Sequence, residues 1–476
     1  MKICFIAEGS YPYITGGVSS WVNNLIKNMD VYEFIIYAIA PEEKYRGNFK
    51  YTLPQNVTKV VEVFLDSWQN EPVVKRGNLK FSRAEKETIK DLILGNDFDW
   101  EHLFKLVERK KVKAVQDFLL SRDFFDIVYQ AYVESYSQTP FTEFFWTMRS
   151  LLLPLFHIMK HDIPEADIYH APSTGYAGIV GSLAKRKYGK PLIITEHGIY
   201  TREREIEIVK ATWMKNYYKD MWIHFFYNLS RCSYDNADKV ITLFNRNREV
   251  EISLGCNENI ISIIPNGVDY EAFSKLASIK PIKRTNIKYT VGAIVRVVPI
   301  KDIKTMISAF ALVKAELPET EFIIIGPTDE DEDYYNECLQ LMKDLQLEDV
   351  IFTGKVDVKD FIPQVDLFVL SSISEGQPLS ILEAMASGKP NIATDVGSCK
   401  EVIYGGGDRF GKCGIIVPIM DYVSLSKSIV KVLLDENLRK EMGEIAMLRV
   451  DHHFRNETMI NRYIEVYEYF HNMNDG

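Results

Sequence analysis

Short apolar runs recur along this chain and are separated by longer segments with the apolar spacing of helices. Runs such as "KICFIAE", "EFIIYAIA" and "PLIITEHG" are largely apolar rather than alternating. Strands of this kind are covered on both faces, as happens in parallel sheets that are flanked by helices. The sequence therefore predicts an α/β protein with doubly wound parallel sheets.

The apolar runs form two series, which predicts two domains. The first series continues with "ADIYHAP", "KVITLF" and "ISIIPNG", and the second contains "YTVGAIVRV", "EFIIIGP", "VIFTGKV", "LFVLSS", "PNIATDVG" and "GIIVPI". A chain of 476 residues is also too long for one ordinary core. Between the series lies a Lys/Pro-rich segment, "SIKPIKRTNIKYT", whose composition suits a linker.

We therefore predict two Rossmann-like domains, at residues 1–280 and 281–455. A C-terminal helix at 456–476, "ETMINRYIEVYEYFHNM", either packs on its own domain or crosses back to the first. Between residues 66 and 164 the strand rhythm disappears, and charged and aromatic text such as "SRAEKETIKDLI" and "FTEFFWTMRSLLLPLF" takes its place. That text predicts a largely helical insertion in the N-terminal domain.

The composition excludes several classes of protein. Hydrophobic residues make up 46% and charged residues 26% of the chain, which is typical of a soluble globular protein. The formal net charge of −10 disfavours nucleic acid as a partner. No apolar stretch reaches the roughly 18 to 20 residues of a membrane-spanning helix, and the N-terminal run is too short for a signal peptide. We expect a cytoplasmic protein, which partner proteins could hold peripherally at a membrane.

The six cysteines lie far apart, without the spacing of a zinc site. We expect free thiols in a reducing compartment. An acidic triplet, "DED" at 329–331, is more simply a solvated helix start than a metal-binding D-x-D motif.

Two glutamates, Glu375 and Glu383, flank the second domain's most distinctive loop, "SEGQPLSILEAMASG". A strand ends near Ser372, and Gly376 and Pro378 then suit a tight approach and a first helical turn. Ligands of open α/β sheets bind at this edge, where a helix N-terminus offers free N–H groups. The alternative is that both carboxylates merely favour the helix N-terminus by their charge.

Arg296 and Lys301 follow a strand at the same predicted edge, in "GAIVRVVPIKDIKT". A guanidinium and an ammonium placed there would neutralise a diphosphate and stabilise it as a leaving group. Ordinary surface arginines and lysines could produce the same sequence pattern. The position of Arg296 and Lys301 directly after a predicted buried strand is what favours a binding site.

The first domain offers two further candidates at strand ends. In "EGSYPYITGGVSSWVNNLI", Gly16 and Gly17 precede a helix that we predict to be capped by Ser19 or Ser20, which would present bare amides to a ligand; an ordinary tight turn is the alternative. In "TEHGIYTRER", His197 ends a strand, although a single histidine is often structural.

These elements together resemble the retaining GT-B glycosyltransferases of family 4. The matching elements are an E-x7-E pair, an Arg/Lys pair, a "PNGVD" marker and an N-terminal glycine turn, namely Glu375 and Glu383, Arg296 and Lys301, Pro265 to Asp269, and Gly16 and Gly17. Longer segments, including "EGSYPYITGGVSSWV" and "TEHGIYTRERE", are similar to the PelF-type glycosyltransferases of Pel exopolysaccharide systems.

The resemblance implies a GT-B fold, in which two Rossmann-like domains face a cleft, and a set of residue roles. The diphosphate of a UDP-sugar would be held by Arg296 and Lys301, and its ribose by Glu383. The donor sugar would contact Glu375 and the loop residues Gly376, Gln377, Pro378 and Leu379, and His197 would lie near the transferred sugar. The turn at Gly16 and Gly17 would lie near the diphosphate or the acceptor.

The activity that the resemblance implies is transfer of a hexose or N-acetylhexosamine from UDP to a growing polysaccharide, with retention and without a metal or other cofactor. The catalytic residues would be His197, Glu375, Arg296 and Lys301. Its implied partners are the polysaccharide acceptor and inner-membrane subunits of a Pel complex. Two alternatives remain at this point, a UDP-sugar 2-epimerase of the same fold and a nucleotide-binding subunit without catalysis.

Overall fold

The computed structural model describes residues 1–70, 80–108, 115–280 and 284–474 of the chain. The chain divides into two units. Unit 1 comprises residues 1–242, 248–262 and the chain from Tyr463 onward, and unit 2 comprises residues 243–247 and 263–462.

Unit 1 is built on a sheet that has seven strands among the described residues, in the order β3-β2-β1-β4-β5-β6-β7. The strands are β1 (Lys2–Glu8), β2 (Glu33–Ala40), β3 (Val57–Phe64), β4 (Ile168–Ala171), β5 (Leu192–Glu196), β6 (Lys239–Thr242) and β7 (Ile261–Ile263). From β3 through β6 each neighbouring pair is parallel. The winding direction reverses between β1 and β4, and such a switch point leaves a crevice at the carboxyl ends of the strands.

Helices connect most of the strands of this sheet, and several of them lie in the chain between β3 and β4. The helices are α1 (Gly17–Lys27), α2 (Arg83–Leu94), α3 (Trp100–Glu108), α4 (Val115–Leu119), α5 (Arg122–Ala131), α6 (Phe141–Lys160), α7 (Tyr176–Tyr188), α8 (Tyr200–Lys210), α9 (Asn216–Asn236) and α10 (Asn245–Ser253). Five of them, α2 to α6, occupy the predicted insertion at 66–164, of which residues 71–79 and 109–114 lie outside the described residues.

Local sequence explains where the first insertion helix begins and ends. Ser82 caps α2 because its hydroxyl accepts a hydrogen bond from the Glu85 amide, and the Glu85 carboxylate in turn accepts one from the Ser82 amide at 2.6 Å. Gly95 ends the helix in a left-handed conformation, φ 74°. This capping box and glycine stop are the signals that bound a helix in sequence.

Unit 2 repeats the plan with a sheet of six described strands, in the order β10-β9-β8-β11-β12-β13. The strands are β8 (Tyr289–Ile294), β9 (Thr320–Ile325), β10 (Val350–Phe352), β11 (Leu367–Leu370), β12 (Asn391–Thr394) and β13 (Gly414–Val417), and every neighbouring pair is parallel. Its switch point lies between β8 and β11, the two strands that precede the predicted cations and the first predicted glutamate. The prediction of two doubly wound parallel-sheet domains is confirmed.

The helices of unit 2 alternate with its strands, except between β10 and β11, where the chain forms only short 3-10 turns, and after β13, where three helices follow one another. They are α11 (Tyr270–Ser274), α12 (Ile303–Glu316), α13 (Glu332–Asp344), α14 (Leu379–Ala386), α15 (Cys399–Tyr404), α16 (Tyr422–Leu434), α17 (Glu436–His453) and α18 (Asn456–Asn474). The last helix begins in unit 2, and its residues from Tyr463 onward belong to unit 1.

The chain enters unit 2 earlier than the predicted linker. Val268, Phe273 and Leu276 are buried in the second core, so a division at residue 280 falls inside unit 2. Of the predicted linker, residues 281–283 lie outside the described residues.

Two global features bear on the composition. All six cysteines are buried free thiols, as predicted. In the described ranges no helix has both the length and the apolar character needed to cross a membrane.

Candidate functional site

The switch point of unit 2 brings the loops after β8 and β11 into direct contact. The Ser371 hydroxyl, just after β11, donates to the carbonyl oxygens of Lys301 at 3.0 Å and Asp302 at 2.8 Å. The Ile373 amide donates to the carbonyl of Ile300 at 2.9 Å. These bonds fix the predicted cation loop to the predicted glutamate loop.

Lys301 and Glu375 form an ion pair at this contact. The Lys301 ammonium donates to Glu375 Oε1, which also accepts a hydrogen bond from the Ser372 hydroxyl at 2.6 Å. The side chains are only 17% and 10% exposed. Because little water screens the two charges, they attract each other more strongly than a surface pair does. Two predicted site residues from distant parts of the chain therefore meet at the carboxyl edge of the sheet.

Arg296 lies at the same edge but is more open to solvent. Its guanidinium donates to Glu330 at 2.6 Å, and about half of the Arg296 side chain is exposed. Glu330 comes from the loop between β9 and α13. The structure thus pairs each predicted phosphate-binding cation with a carboxylate of the chain itself.

Two glycines that the sequence interpretation missed make the close approach of these loops possible. At Gly326, φ 146°, a Cβ atom would lie 2.1 Å from the carbonyl oxygen of Val295. At Gly397, φ 50°, it would lie 2.1 Å from the carbonyl of Gly376 and 2.4 Å from that of Glu375. The available sequence signal was one glycine in each of the segments "EFIIIGP" and "PNIATDVG".

The residues after Glu375 divide between two tasks. Gln377 turns its side chain toward the "PNGVD" segment, where its Oε1 accepts a hydrogen bond from the Asn266 amide at 2.6 Å. Gly376 accepts at its carbonyl from the Ser398 amide at 2.9 Å. Pro378 is the N-cap of α14, one position before the first helical turn in which we predicted it, and Leu379 is the first helical residue. The loop is therefore fastened on both sides while it presents the N-terminus of α14.

Glu383 lies one turn inside α14 in a largely desolvated position. Burial raises the pKa of its carboxyl from 4.5 to about 7, which Lys359 opposes and Asp357 reinforces. A carboxylate kept in such a place raises the cost of folding, and this is common for groups that serve a ligand.

In unit 1, the carboxyl ends of β1, β4 and β5 surround a cavity of about 450 Å³. Its polar lining includes Glu8, His197, Tyr176, Tyr200, Glu203 and Arg204, together with two serines, Ser10 and Ser173. Glu8 accepts hydrogen bonds from the Ala177 amide at 3.1 Å and the Tyr200 hydroxyl at 3.1 Å, while burial raises the pKa of its carboxyl. The cavity lies at the switch point of unit 1, and Glu8 and Arg204 are residues that sequence interpretation did not select.

His197 is placed at this cavity, as a residue that follows β5. Its Nε2 is buried and has no hydrogen-bond partner among the described residues. Burial lowers the pKa of the imidazole from 6.5 to about 4. His197 is therefore neutral near pH 7 and offers hydrogen bonds rather than charge.

The glycine turn is exposed at the start of α1. The helix begins at Gly17 with Gly16 as the N-cap, so the predicted caps, Ser19 and Ser20, lie within its first turn. Ser19 is buried, and the Ser20 amide donates to the Gly16 carbonyl at 2.8 Å, which leaves neither residue in the N-cap position. A Cβ atom at Gly16 or Gly17 would meet nothing within 4 Å, so the space over this helix end is open.

Two further carboxyls of unit 1, those of Glu196 and Glu251, are buried near each other. Glu196, which precedes His197, accepts from the Thr174 hydroxyl at 3.0 Å and the Tyr200 amide at 3.2 Å. Burial raises the pKa of Glu196 to about 7 and that of Glu251 to about 9, and the neighbouring Glu196 contributes to the second shift. No local sequence signal distinguishes these glutamates from surface ones.

Both halves of the chain match models of known protein families. Residues 1–259 match the family model described as Domain of unknown function (DUF3492), and residues 277–449 match Glycosyl transferases group 1. The chain is 34% identical over 170 residues to N-acetyl-alpha-D-glucosaminyl L-malate synthase of Bacillus anthracis, across 35% of this chain and 42% of that enzyme.

A longer match joins the chain to an Escherichia coli enzyme. It is 28% identical to UDP-Gal:alpha-D-GlcNAc-diphosphoundecaprenol alpha-1,3-galactosyltransferase, across 60% of this chain and 71% of that enzyme. Among solved structures, Anabaena Alr3699/HepE in complex with UDP superimposes with a TM-score of 0.62 and 17% identity, covering 98% of this chain and 100% of that chain. The predicted GT-B class of fold is confirmed.

Proposed function

This chain belongs to the family described as Domain of unknown function (DUF3492) and carries a glycosyl transferases group 1 domain, and from these premises we propose that it transfers a hexose or N-acetylhexosamine from a UDP-sugar to a growing exopolysaccharide. The prediction that it is a glycosyltransferase is confirmed by that domain and by the named glycosyltransferases among its relatives. The donor, the stereochemistry and the product are the proposal.

The observation that carries the proposal is the pairing of Lys301 with Glu375 at the switch point of unit 2. A cation and a carboxylate at one point suit a ligand with a diphosphate next to a sugar. The ammonium would contact the diphosphate, and the carboxylate would accept hydrogen bonds from sugar hydroxyls. Arg296 supplies a second cation at the same edge, and Glu383 supplies a carboxylate for the ribose hydroxyls. The UDP complex of Alr3699/HepE supports UDP as the nucleotide.

We propose that the reaction retains the anomeric configuration by attack on the face from which UDP leaves. The bond between the anomeric carbon and the β-phosphate oxygen breaks, and the bond to the acceptor oxygen forms. The acceptor's proton passes to the departing phosphate oxygen, so that no further base is needed. Lys301 and Arg296 stabilise the charge that grows on the phosphate. His197 binds a sugar hydroxyl as a neutral imidazole.

Independence from metal ions follows from the same two cations in this proposal. In other transferases a bound Mg²⁺ neutralises the leaving diphosphate, and here Arg296 and Lys301 would do so. Activity should therefore persist in EDTA at the level found with added Mg²⁺. A rate that collapses in EDTA and returns with Mg²⁺ would remove this part of the proposal.

The Pel-type assignment is supported by the sequence segments that resemble PelF-type enzymes, such as "EGSYPYITGGVSSWV". Under this proposal the enzyme works in the cytoplasm, peripherally at the inner face of the membrane, through subunits of a Pel complex. Membrane flotation with and without those subunits tests the association. Equal flotation in their absence would contradict it.

The decisive experiment combines a binding screen with product analysis. Calorimetry across a panel of UDP-sugars identifies the donor, and ¹H NMR of the product gives its anomeric configuration. Retention supports the proposed mechanism, and inversion refutes it. With UDP-N-acetylglucosamine alone, the appearance of the manno isomer would show a 2-epimerase, whereas binding without turnover in the presence of acceptor would show a nucleotide-binding subunit.

A further inference from the structure

Trp21 joins two site candidates of unit 1 that the sequence offered separately. It lies on α1, the helix that begins at the Gly16–Gly17 turn, and its side chain is 6% exposed. Its indole packs edge to face against the imidazole of His197, with ring centroids 4.6 Å apart and an interplanar angle of 73°. Trp21 stands in the "GGVSSWV" segment, but the glycine motif gives it no role.

The imidazole of His197 depends on packing for its orientation. In most active sites a hydrogen bond to one ring nitrogen fixes which way the other nitrogen points. The Nε2 of His197 is buried without a partner in the described part of the chain. An aromatic ring at 4.6 Å is then the contact that holds the imidazole in one rotamer at the wall of the cavity.

The indole of Trp21 also packs against a residue of the last helix, α18. Tyr463 of α18 packs against Trp21 with centroids 5.3 Å apart, and its hydroxyl lies 3.3 Å from Thr195 Oγ1. The His170 ring also packs edge to face against the indole, with ring centroids 5.6 Å apart, and its Nε2 lies 2.8 Å from Thr195 Oγ1. The Tyr467 hydroxyl lies 2.6 Å from His170 Nδ1, which ties α18 to the centre of the sheet.

We propose that Trp21 is a positioning residue: backed by Tyr463, it holds the imidazole of His197 in the orientation that transfer of the sugar requires. The inference rests on the proposed function, because it assumes that His197 touches a sugar. It makes the C-terminal helix a part of the site, although no residue of α18 lines the cavity among the described residues. It also gives a role to a large, buried side chain, the Trp21 indole, whose Nε1 has no hydrogen-bond partner in the described ranges.

Loss of the indole should disturb His197 in two ways. A smaller side chain frees the imidazole to rotate, and a misplaced group costs about 10- to 100-fold in kcat while binding elsewhere is intact. Water also gains access to the ring, so the pKa of His197, held near 4 by burial, should move toward 6.5. The titratable and charged groups that line the cavity with His197 are Glu8, Tyr176, Tyr200, Glu203 and Arg204; His170 is close enough to interact electrostatically with His197, and Tyr463 lies behind the indole.

The test compares Trp21→Leu and Trp21→Phe with the parent enzyme. The assay is UDP release from the UDP-sugar of highest affinity in the calorimetric panel, with water as acceptor, from pH 4 to 9. We expect Trp21→Leu to lower kcat by about 10- to 100-fold with KM for the donor nearly unchanged, and to move the acid limb of the profile upward. Trp21→Phe keeps an aromatic edge and should recover most of kcat. Trp100→Leu, at a partly buried tryptophan of α3 that is remote from the cavity, is the matched control.

The outcomes separate this inference from the function on which it rests. If His197→Asn is inactive but Trp21→Leu keeps the parental kcat and acid limb, the positioning role is overturned and the proposed function stands. If His197→Asn keeps full activity, the role of His197 itself fails, and the inference fails with it. Should Trp21→Leu not fold, Tyr463→Leu, which removes the ring that packs against the indole, carries the same two readouts. An unchanged acid limb in Tyr463→Leu would then overturn the role of the last helix.

Discussion

Glu383 should cost the protein stability when no ligand is bound, and replacing it by glutamine should reveal the cost. Its carboxyl has a pKa of about 7 in the fold against 4.5 without the fold, chiefly because burial penalises the charged form. In the proposed function this carboxylate accepts hydrogen bonds from the ribose of UDP. Glu383→Gln keeps the shape of the side chain and removes its ionisation.

The size and sign of the effect follow from this raised pKa. Below pH 4 the carboxyl is protonated in both the folded and unfolded states, so it costs nothing. As the pH rises from 4.5 to 7 the unfolded chain loses the proton first, and stability falls until the folded carboxyl also ionises. One pKa unit corresponds to about 1.4 kcal/mol. As the pH rises from 4 to 8, the unfolding free energy of Glu383→Gln should therefore come to exceed that of the parent by about 3 kcal/mol.

Thermal unfolding of the free enzyme at several pH values measures this gain. For a domain of about 150 to 250 residues, the size class of unit 2, about 3 kcal/mol corresponds to a difference in Tm of roughly 6 to 12 °C. The variant should therefore melt roughly 6 to 12 °C above the parent at pH 8 and at almost the same temperature at pH 4. Glu444→Gln, at an exposed carboxylate of α17, is the control for the substitution itself. A difference in Tm that stays constant with pH would refute the reasoning. Saturating UDP should narrow the gap at pH 8, because it stabilises the parent more than the variant.

The remaining predictions concern charged residues of the two units. Arg296→Ala should weaken UDP binding by roughly 1.5 to 3 kcal/mol, because charge-assisted hydrogen bonds are lost. Glu330→Ala should tighten UDP binding a few-fold, because it frees the Arg296 guanidinium. Calorimetry with UDP checks both variants, and unchanged affinities would remove this pair from the site. Glu375→Gln should abolish transfer and largely spare UDP affinity, so near-normal turnover would contradict its contact with the donor sugar. Glu251→Gln should raise Tm more at pH 8 than at pH 5, because burial and the nearby Glu196 make the ionised form of Glu251 destabilise the fold. Calorimetric scans at the two pH values measure the two rises in Tm. An equal rise at both pH values would argue against the raised pKa of Glu251.

Buried strands were predictable from sequence because their text is apolar without interruption. The bounds of β1 and β2 agree with the runs "KICFIAE" and "EFIIYAIA". The strand β3, "VTKVVEVF", was missed because it lies at the sheet edge, where Lys59 and Glu62 break the apolar run. An edge strand has one neighbour and partial cover, so its sequence carries less of the signal.

The candidate site was predictable to the level of a sheet edge and no further. Strand ends placed Lys301 and Glu375 at one edge, since parallel strands share their carboxyl end. Their direct pairing depends on the bonds from Ser371 to the cation loop, which span 70 and 69 residues of sequence. The bond between Gln377 and Asn266 spans 111 residues and has no local signal either. Contacts of this range are properties of packing, which sequence periodicity does not encode.

The internal pairing of the two cations has a consequence for ligand affinity. In the free chain Arg296 is bonded to Glu330 and Lys301 to Glu375, so neither charge is left without a counter-ion. A diphosphate must compete with both carboxylates, and its net gain is the difference between the new and the displaced bonds. The exposed Arg296–Glu330 pair is worth little and exchanges readily, whereas the shielded Lys301–Glu375 pair resists exchange. The diphosphate should therefore capture Arg296 outright but share Lys301 with Glu375, which keeps that carboxylate fixed beside the sugar.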